Sequence, residues 1–290
     1  MTVAAKREPD PGTVKQELIE TCTRGGALVA GVAEAAAFSE APEGYRPADL
    51  LPGARSVLVI GGSPPRAGEW ISPKRELMET VSTADRITVL GLRIAQVIEA
   101  RYGYYALCLP PGTDKGNQPF MSMALAAELA GCGSRSLAGP ILHPVHGMLY
   151  YSAILTTLPL PPDGRLQPPP CPAPECATRW EEAGTCPCLE VCPIDADGCL
   201  GGRLDDGRWS DRRYDLERCT TRVYQYWIPG YQVALAAALD EDDRERRKAI
   251  LYGSFFTRTL WSITYSNVTQ GQCFECMRVC PVGKDARTLR

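Results

Sequence analysis

The apolar pattern changes period several times along this chain, and each change predicts an element. Thr13 to Glu20 and Ala33 to Phe38 are expected to be helical. Ser56-Val57-Leu58-Val59-Ile60 is apolar throughout and rich in β-branched residues, so it reads as a buried strand. Gly61-Gly62 ends that run; before Ser63 it could cradle a phosphate, but a lone Gly-Gly after a strand reads first as a turn. Ser82 to Tyr102 repeats Ile87, Leu90, Ile94, Val97 and Ile98 near helical spacing and predicts a long helix. Tyr104 to Leu109 is a second strand, stopped by Pro110-Pro111-Gly112. Phe120 to Ala130 is an Ala/Leu/Met helix closed by Gly131, and Tyr150 to Leu158 is a third strand. Helices alternating with strands predict an α/β or α+β layered domain.

The pattern breaks near residue 160. Leu158-Pro159-Leu160-Pro161-Pro162 and Pro168-Pro169-Pro170-Cys171-Pro172 can continue neither a helix nor a central strand. Residues 159–172 therefore read as a connection, with one domain over 1–160 and another over 161–290. In the second, the stretches around the cysteines look short and loop-like. Helices are expected over Asp215 to Ala238, interrupted at Pro229-Gly230, and over Asp242 to Thr264. The mixed charge run Asp240 to Lys248 reads as a solvated helix start.

Charge and composition narrow the function classes. A length of 290 residues and a formal net charge of −3 argue against a protein held to nucleic acid by a basic surface. No run of eighteen apolar residues occurs, which argues against a membrane span, and the first twenty residues lack the apolar core of a secretory signal. A cytoplasmic location is the resulting expectation. In a reducing compartment, clustered cysteines bind metal or do redox chemistry more often than they pair.

Ten of the thirteen cysteines fall between Cys171 and Cys280. Two runs end in Cys-Pro: Cys188-x3-Cys192-Pro193 and Cys273-x2-Cys276-x3-Cys280-Pro281. They read as the tail halves of two bacterial-ferredoxin motifs, in which the cysteine before proline ligates the other cluster. One [4Fe-4S] cluster then takes Cys273, Cys276 and Cys192, with Cys219 as the natural fourth ligand. The other takes Cys280 and Cys188 with two more thiolates. A regular motif would place cysteines at 182 and 185, where the chain has Glu182 and Thr185. Cys186 and Cys176 are favoured instead, with Cys171 nearly as good and Cys199 also available. Zinc is the competing reading of paired cysteines, but a zinc ribbon has no use for two Cys-x3-Cys-Pro runs. Cys22, Cys108 and Cys132 read as small buried hydrophobes.

This order of motifs resembles the epoxyqueuosine reductase and reductive dehalogenase superfamily. Leu51-Pro52-Gly53-Ala54-Arg55-Ser56-Val57-Leu58-Val59 is similar to the family's first core strand, and Ala130-Gly131-Cys132-Gly133 to its Ala-Gly-Leu-Gly turn. Ile154 to Leu160 looks like the strand leading into the cluster domain, and Arg218-Cys219 with the final cysteine motif matches epoxyqueuosine reductases. The resemblance implies an α+β protein: a nitroreductase-like domain that binds cobalamin, then a ferredoxin-like domain with two [4Fe-4S] clusters. Departures from the tRNA-modifying members make epoxyqueuosine reduction improbable and point to a divergent, stand-alone member. The helix over Phe120 to Ala130 lacks their Glu-Arg pair, and Ser134-Arg135-Ser136 replaces their Gly-Lys-Asn.

The resemblance further implies a reductase that passes electrons through the clusters to the corrinoid, which then reduces a small organic molecule. Alternatives are an electron-transfer protein serving a partner or a corrinoid bound elsewhere, and FMN in place of cobalamin. Tyr150, Tyr151 and Asp114 are the candidate proton donors. Gly131, Gly133, Arg135, His143, His146 and Gly147 are the candidate cofactor contacts. Plainer roles compete: loop polar groups for the histidines, packing for at least one tyrosine, solvent exposure for Lys115 and Arg135. Expected partners are a small-molecule substrate and a low-potential donor such as a ferredoxin or flavodoxin, with a homodimer allowed and neither nucleic acid nor membrane involved.

Overall fold

The run Ser56–Gly62 (β2) becomes a strand buried at every position, at the heart of a four-stranded antiparallel sheet ordered β1-β2-β7-β3. The computed structural model describes residues 10–63, 66–71, 80–112, 120–192, 198–215, 218, 227–264 and 275–288. The chain divides into two compact units that alternate along the sequence. The first is Met1–Gly62, Arg86–Ser134 and Tyr150–Pro169; the second is Ser63–Asp85, Arg135–Leu149 and Pro170–Arg290.

In the first unit, β7 (Tyr150–Thr156) pairs with β2 on one side and β3 (Ala106–Gly112) on the other, and is buried throughout. Burial on both faces explains why neither central strand alternates in sequence. Helix α1 (Pro11–Arg24) starts at Asp10, whose carboxylate accepts from the Thr13 amide, and buries Val14, Leu18 and Cys22 at i, i+4 and i+8. Helix α3 (Thr80–Val97) contributes Ile87, Leu90 and Ile94 to the same core, against Leu58, Ile60 and Ile154 of the sheet. Each fully buried aliphatic side chain here contributes about 1.5–3 kcal/mol. Helix α4 (Met123–Leu129), capped by Ser122, packs on β1, β2 and β7.

The long helix, the Ala/Leu/Met helix and the three strands match the expected periods. Three expectations for this unit fail. Ala33 belongs to a strand, β1 (Val29–Glu34), and only Ala35–Glu40 turns, as a 3-10 helix. Pairing with β2 overrides the helix preference of the alanines. Gly61 and Gly62 remain in β2 and do not form a turn. A Cβ on Gly61 would stand 2.7 Å from Val29 Cγ2, and one on Gly62 would stand 2.5 Å from Ile87 Cδ1. Their role is close packing of β1 and α3 onto the strand. Strand β3 runs through Pro110-Pro111 with a register shift before Gly112, which an edge strand tolerates. The proline-rich connection is also anchored. The Leu160 amide donates to Ser56 Oγ, and Asp163 accepts from the Val32 amide and from Lys15.

The second unit holds a small sheet, β4 (Ser134–Arg135), β5 (Ile141–His143) and β6 (Gly147–Met148), and a hairpin of β8 (Leu200–Asp205) with β9 (Arg208–Tyr214). Five of its described cysteines (Cys171, Cys186, Cys192, Cys199 and Cys280) lie outside helices and strands, as the loop-like expectation has it, and three lie on helices. Cys176 is on α5 (Pro174–Ala183), Cys188 on α6 (Pro187–Glu190) and Cys276 on α10 (Glu275–Arg278). Proline at the first position starts both α5 and α6, where its missing N–H costs nothing. Helix α7 (Trp227–Asp240) is continuous through Pro229-Gly230, where an interruption was expected, and the earlier part of the expected helix lies largely outside the described residues. Helix α8 (Arg244–Tyr252), capped by Asp243, is exposed along most of its length, and α9 (Ser254–Thr264) follows Gly253. The chain ends near α11 (Lys284–Arg287). Among the described residues no helix is long and apolar enough to cross a membrane.

Candidate functional site

Cysteine thiols gather in the second unit because short elements carry them towards one another. Helices α6 and α10 are in contact, which brings the backbone of Cys188 towards that of Cys276. Cys186 Sγ lies 3.5 Å from Cys188 Sγ. Charges on Cys276 and Cys171 are felt at Cys188, and those on Cys171 and Cys176 at Cys280. Cys171, Cys176, Cys186, Cys188, Cys276 and Cys280 therefore share one electrostatic neighbourhood. Cys192 Sγ lies 3.4 Å from Cys199 Sγ and also accepts the Cys199 amide. Cys219 and Cys273, expected to complete the second ligand set, lie outside the described residues. Among the described residues no three ligating groups are yet gathered closely enough to hold a metal ion.

The electrostatics favour a cation among these sulfurs. Burial pushes the Cys280 thiol up to about 12 and the Cys176 thiol up to about 11, each raised further by neighbouring thiolates. Cys186 moves the other way. The Cys188 thiol donates to it, and the amides of Leu189 and Cys188 add to the effect, so Cys186 ionises first. Cys171 is raised by burial, but its sulfur accepts the Leu137 amide and the Trp209 indole N–H, the latter at 3.2 Å, and Arg212 lies near enough to help. Several buried thiolates cannot coexist without a compensating charge, and an all-sulfur donor set suits iron–sulfur clusters or zinc. The donor chemistry of these residues fits a thiolate-ligated metal, while their spacing among the described residues is wider than a metal site needs.

Sequence reading named Cys171 and Cys199 as spare ligands, and the structure draws both into sulfur contacts. It missed Trp209 and Leu137. No motif marks either residue; they reach Cys171 only because the β8–β9 hairpin and the segment before β5 fold against it. Trp209 is held in place by an edge-on contact with Trp180 of α5, at 5.4 Å between ring centroids.

The other candidates fall in both units. Tyr150 and Tyr151 are buried in β7 of the first unit, and the Tyr151 hydroxyl donates to the Cys132 carbonyl at 3.0 Å. Burial holds Tyr151 well above the ordinary tyrosine value, so it stays protonated. Cys22 and Cys132 are buried in the same unit, Cys22 with its thiol pushed up to about 12. Gly131 adopts φ +68 after α4, where a Cβ would meet the Gly164 carbonyl at 2.7 Å. Gly133 is buried.

In the second unit Arg135 is exposed, and His143 and His146 stack at 4.9 Å between ring centroids. His143 Nδ1 accepts the amides of Val145 and His146. Burial, then the His146 charge, lowers His143 to about 4, so it is neutral at neutral pH. Gly147 adopts φ +69, and a Cβ there would stand 2.9 Å from the Val282 carbonyl. The hairpin between β5 and β6 thus approaches the backbone just after Cys280-Pro281. Asp114 lies outside the described residues.

Comparison with solved structures identifies the fold. An epoxyqueuosine reductase crystallised with a tRNA-Tyr epoxyqueuosine-modified tRNA stem loop matches over 96% of this chain and 67% of its own, at 17% identity and a TM-score of 0.56. Epoxyqueuosine reductase from Bacillus subtilis matches over 94% of this chain and 66% of its own, at 17% identity and a TM-score of 0.52. A catabolic reductive dehalogenase in complex with 3-bromo-4-hydroxybenzoic acid matches over 96% of this chain, at 19% identity and a TM-score of 0.50. This chain spans about two thirds of the length of the reductases and 39% of the dehalogenase. No protein-family model and no curated protein matches the sequence.

Proposed function

We propose that this chain, which shares the fold of epoxyqueuosine reductase and reductive dehalogenase structures, is a divergent member of that superfamily: an iron–sulfur reductase whose two [4Fe-4S] clusters pass electrons to a bound corrinoid, which reduces a small organic substrate. The nitroreductase-like cofactor domain lies mostly within residues 1–160 and the ferredoxin-like domain mostly within 161–290, with 63–85 and 135–149 grouping with the second unit.

The observation that carries this reading is the shared neighbourhood of Cys171, Cys176, Cys186, Cys188, Cys276 and Cys280 within this fold. Cys280, Cys188, Cys186 and either Cys176 or Cys171 hold one cluster. Cys192, Cys219, Cys273 and Cys276 hold the other. The corrinoid supplies the low-potential metal that delivers electrons to the substrate. Tyr150, Tyr151 and Asp114 are the candidate proton sources, although the Tyr151 hydroxyl is committed to the Cys132 carbonyl and held protonated by burial. His143 is neutral and accepts two amides through Nδ1, so it orients its loop and carries no proton to donate from that nitrogen. The stem loop belongs to the solved reductase; a net charge of −3 supports a small molecule here.

The test is anaerobic purification and reconstitution with iron and sulfide, followed by separate additions of cobalamin and FMN. About eight irons per chain and a corrin spectrum with its lower base detached are the expected results. Zinc, or far less iron, would overturn the cluster assignment. Retention of FMN alone would replace the corrinoid by a flavin, and binding of neither would leave an electron carrier.

A further inference from the structure

A cavity of about 330 Å³ in the second unit, next to the last cysteine motif, is lined by cations. Arg66, Trp70 and Ile71 form one wall; Arg278, Lys284 and Arg287 form the other. Four of these six side chains are positive. The one carboxylate paired with them is Glu275, 4.0 Å from Arg278 Nε. Among the described residues neither Arg66 nor Lys284 is paired with a carboxylate.

Two guanidinium nitrogens here are buried without a hydrogen-bond partner, Arg278 Nη2 and Arg287 Nε. Arg287 is already oriented. Its Nη atoms donate to the carbonyls of Met277 and Cys280, and its guanidinium lies over the Trp70 ring at 4.9 Å from the centroid. A buried donor on a cation, left unmade, costs more free energy than an ordinary hydrogen bond contributes. The cavity is also at the lower end of the range of small-ligand sites.

We propose that this pocket binds a small polyanion of the pyrophosphate class, held by the guanidinium groups of Arg278 and Arg287 in its lining, with Arg66 and Lys284 closing on it from the rim. Three net positive charges call for more than one negative charge on the ligand, and the planar guanidinium forks match phosphoryl oxygens. Arg287 also ties the pocket to the Cys280 carbonyl, so occupancy bears directly on the last Cys-Pro turn. This inference goes beyond the proposed reductase and does not depend on a corrinoid.

Calorimetry on the full chain, reconstituted with iron and sulfide and free of corrinoid, tests it with inorganic pyrophosphate as the probe. One saturable site is expected, weakened about tenfold or more by Arg66→Gln combined with Lys284→Gln. Both residues are exposed, so fold and iron content should be unchanged in the variant and are measured alongside. No saturable binding in the millimolar range, or equal affinity in the double variant, overturns the proposal. So does binding matched by sulfate and abolished by moderate salt, which would mark simple screening of a charged surface. An RNA stem loop that binds through the same two residues while pyrophosphate does not would replace the small ligand by a nucleic-acid backbone.

Discussion

At the scale of single residues, the chemistry rests on who donates to sulfur. Cys171 was one of several spare thiols in the sequence, yet its sulfur alone receives both an amide and an indole N–H among the contacts described. Hydrogen bonds to ligating sulfurs raise a cluster's reduction potential, because they stabilise the more negative state. Trp209→Phe keeps the ring against Trp180 and removes the donor. With a neutral-to-charged hydrogen bond contributing about 1 kcal/mol, the potential of the cluster held by Cys171 should fall on the order of 40 mV, with iron content unchanged. Redox titration followed by EPR measures this, and an unmoved potential would exclude Cys171 as a ligand. His143 offers a second readout. Its unfolded value is 6.5 and its folded value about 4, so the unfolded chain binds more protons between them. Stability should therefore fall as pH drops from about 6.5 towards about 4. His143→Asn should flatten that slope in denaturant melts, and NMR of the two histidines should show one titrating near the lower value.

At the scale of elements, two close approaches decide how the last Cys-Pro motif is held. Gly283 adopts φ +70, and a Cβ there would come within 2.1 Å of the Gly147 amide nitrogen. Gly283→Ala strains the backbone by about 1–3 kcal/mol and also forces the β5–β6 hairpin away. The expected outcome is a lowered melting temperature together with lost iron, since the displaced segment directly follows Cys280. The β8–β9 hairpin turns through Asp206 at φ +49 and Gly207 at φ +72, the two-residue geometry that an Asp-Gly pair favours. Gly207→Ala should cost about 1 kcal/mol in thermal melts. That Asp-Gly signal stood in the sequence beside alternating residues, so the hairpin was legible and was overlooked. Strand β1 was not legible, because Val29–Glu34 owes its extended form to pairing with β2, which no local preference reports. The helices over Pro11–Arg24 and Thr80–Val97 were clear, since a long apolar repeat has one reading. The cysteine spacing pointed to the thiols of the second unit, but their grouping with Trp209 and Leu137 depends on contacts far apart in sequence.

At the scale of the whole molecule, the two units differ in what holds them. The first is stabilised chiefly by apolar burial: α1, α3 and α4 cover a sheet whose central strands are fully buried, and Cys22 and Cys132 are buried within it. The second crowds thiols into low-dielectric surroundings, where ionisation without a bound cation is unfavourable. On the proposed ligand assignment, metal binding there is coupled to folding, because α6, which carries Cys188, has only four residues and cannot persist alone. Removal of iron by a chelator under argon should therefore act unequally. Amides of β2 and β7 should keep their hydrogen-exchange protection, while those of α6, α10 and the β8–β9 hairpin should lose it. Cys219→Ala, lowering iron by about one cluster (four irons), should produce part of that loss, and Cys22→Ala should leave the iron unchanged. Equal loss of protection in both units would mean that the first unit depends on the metal for its fold, and the separation of an apolar scaffold from a metal-organised one would fail.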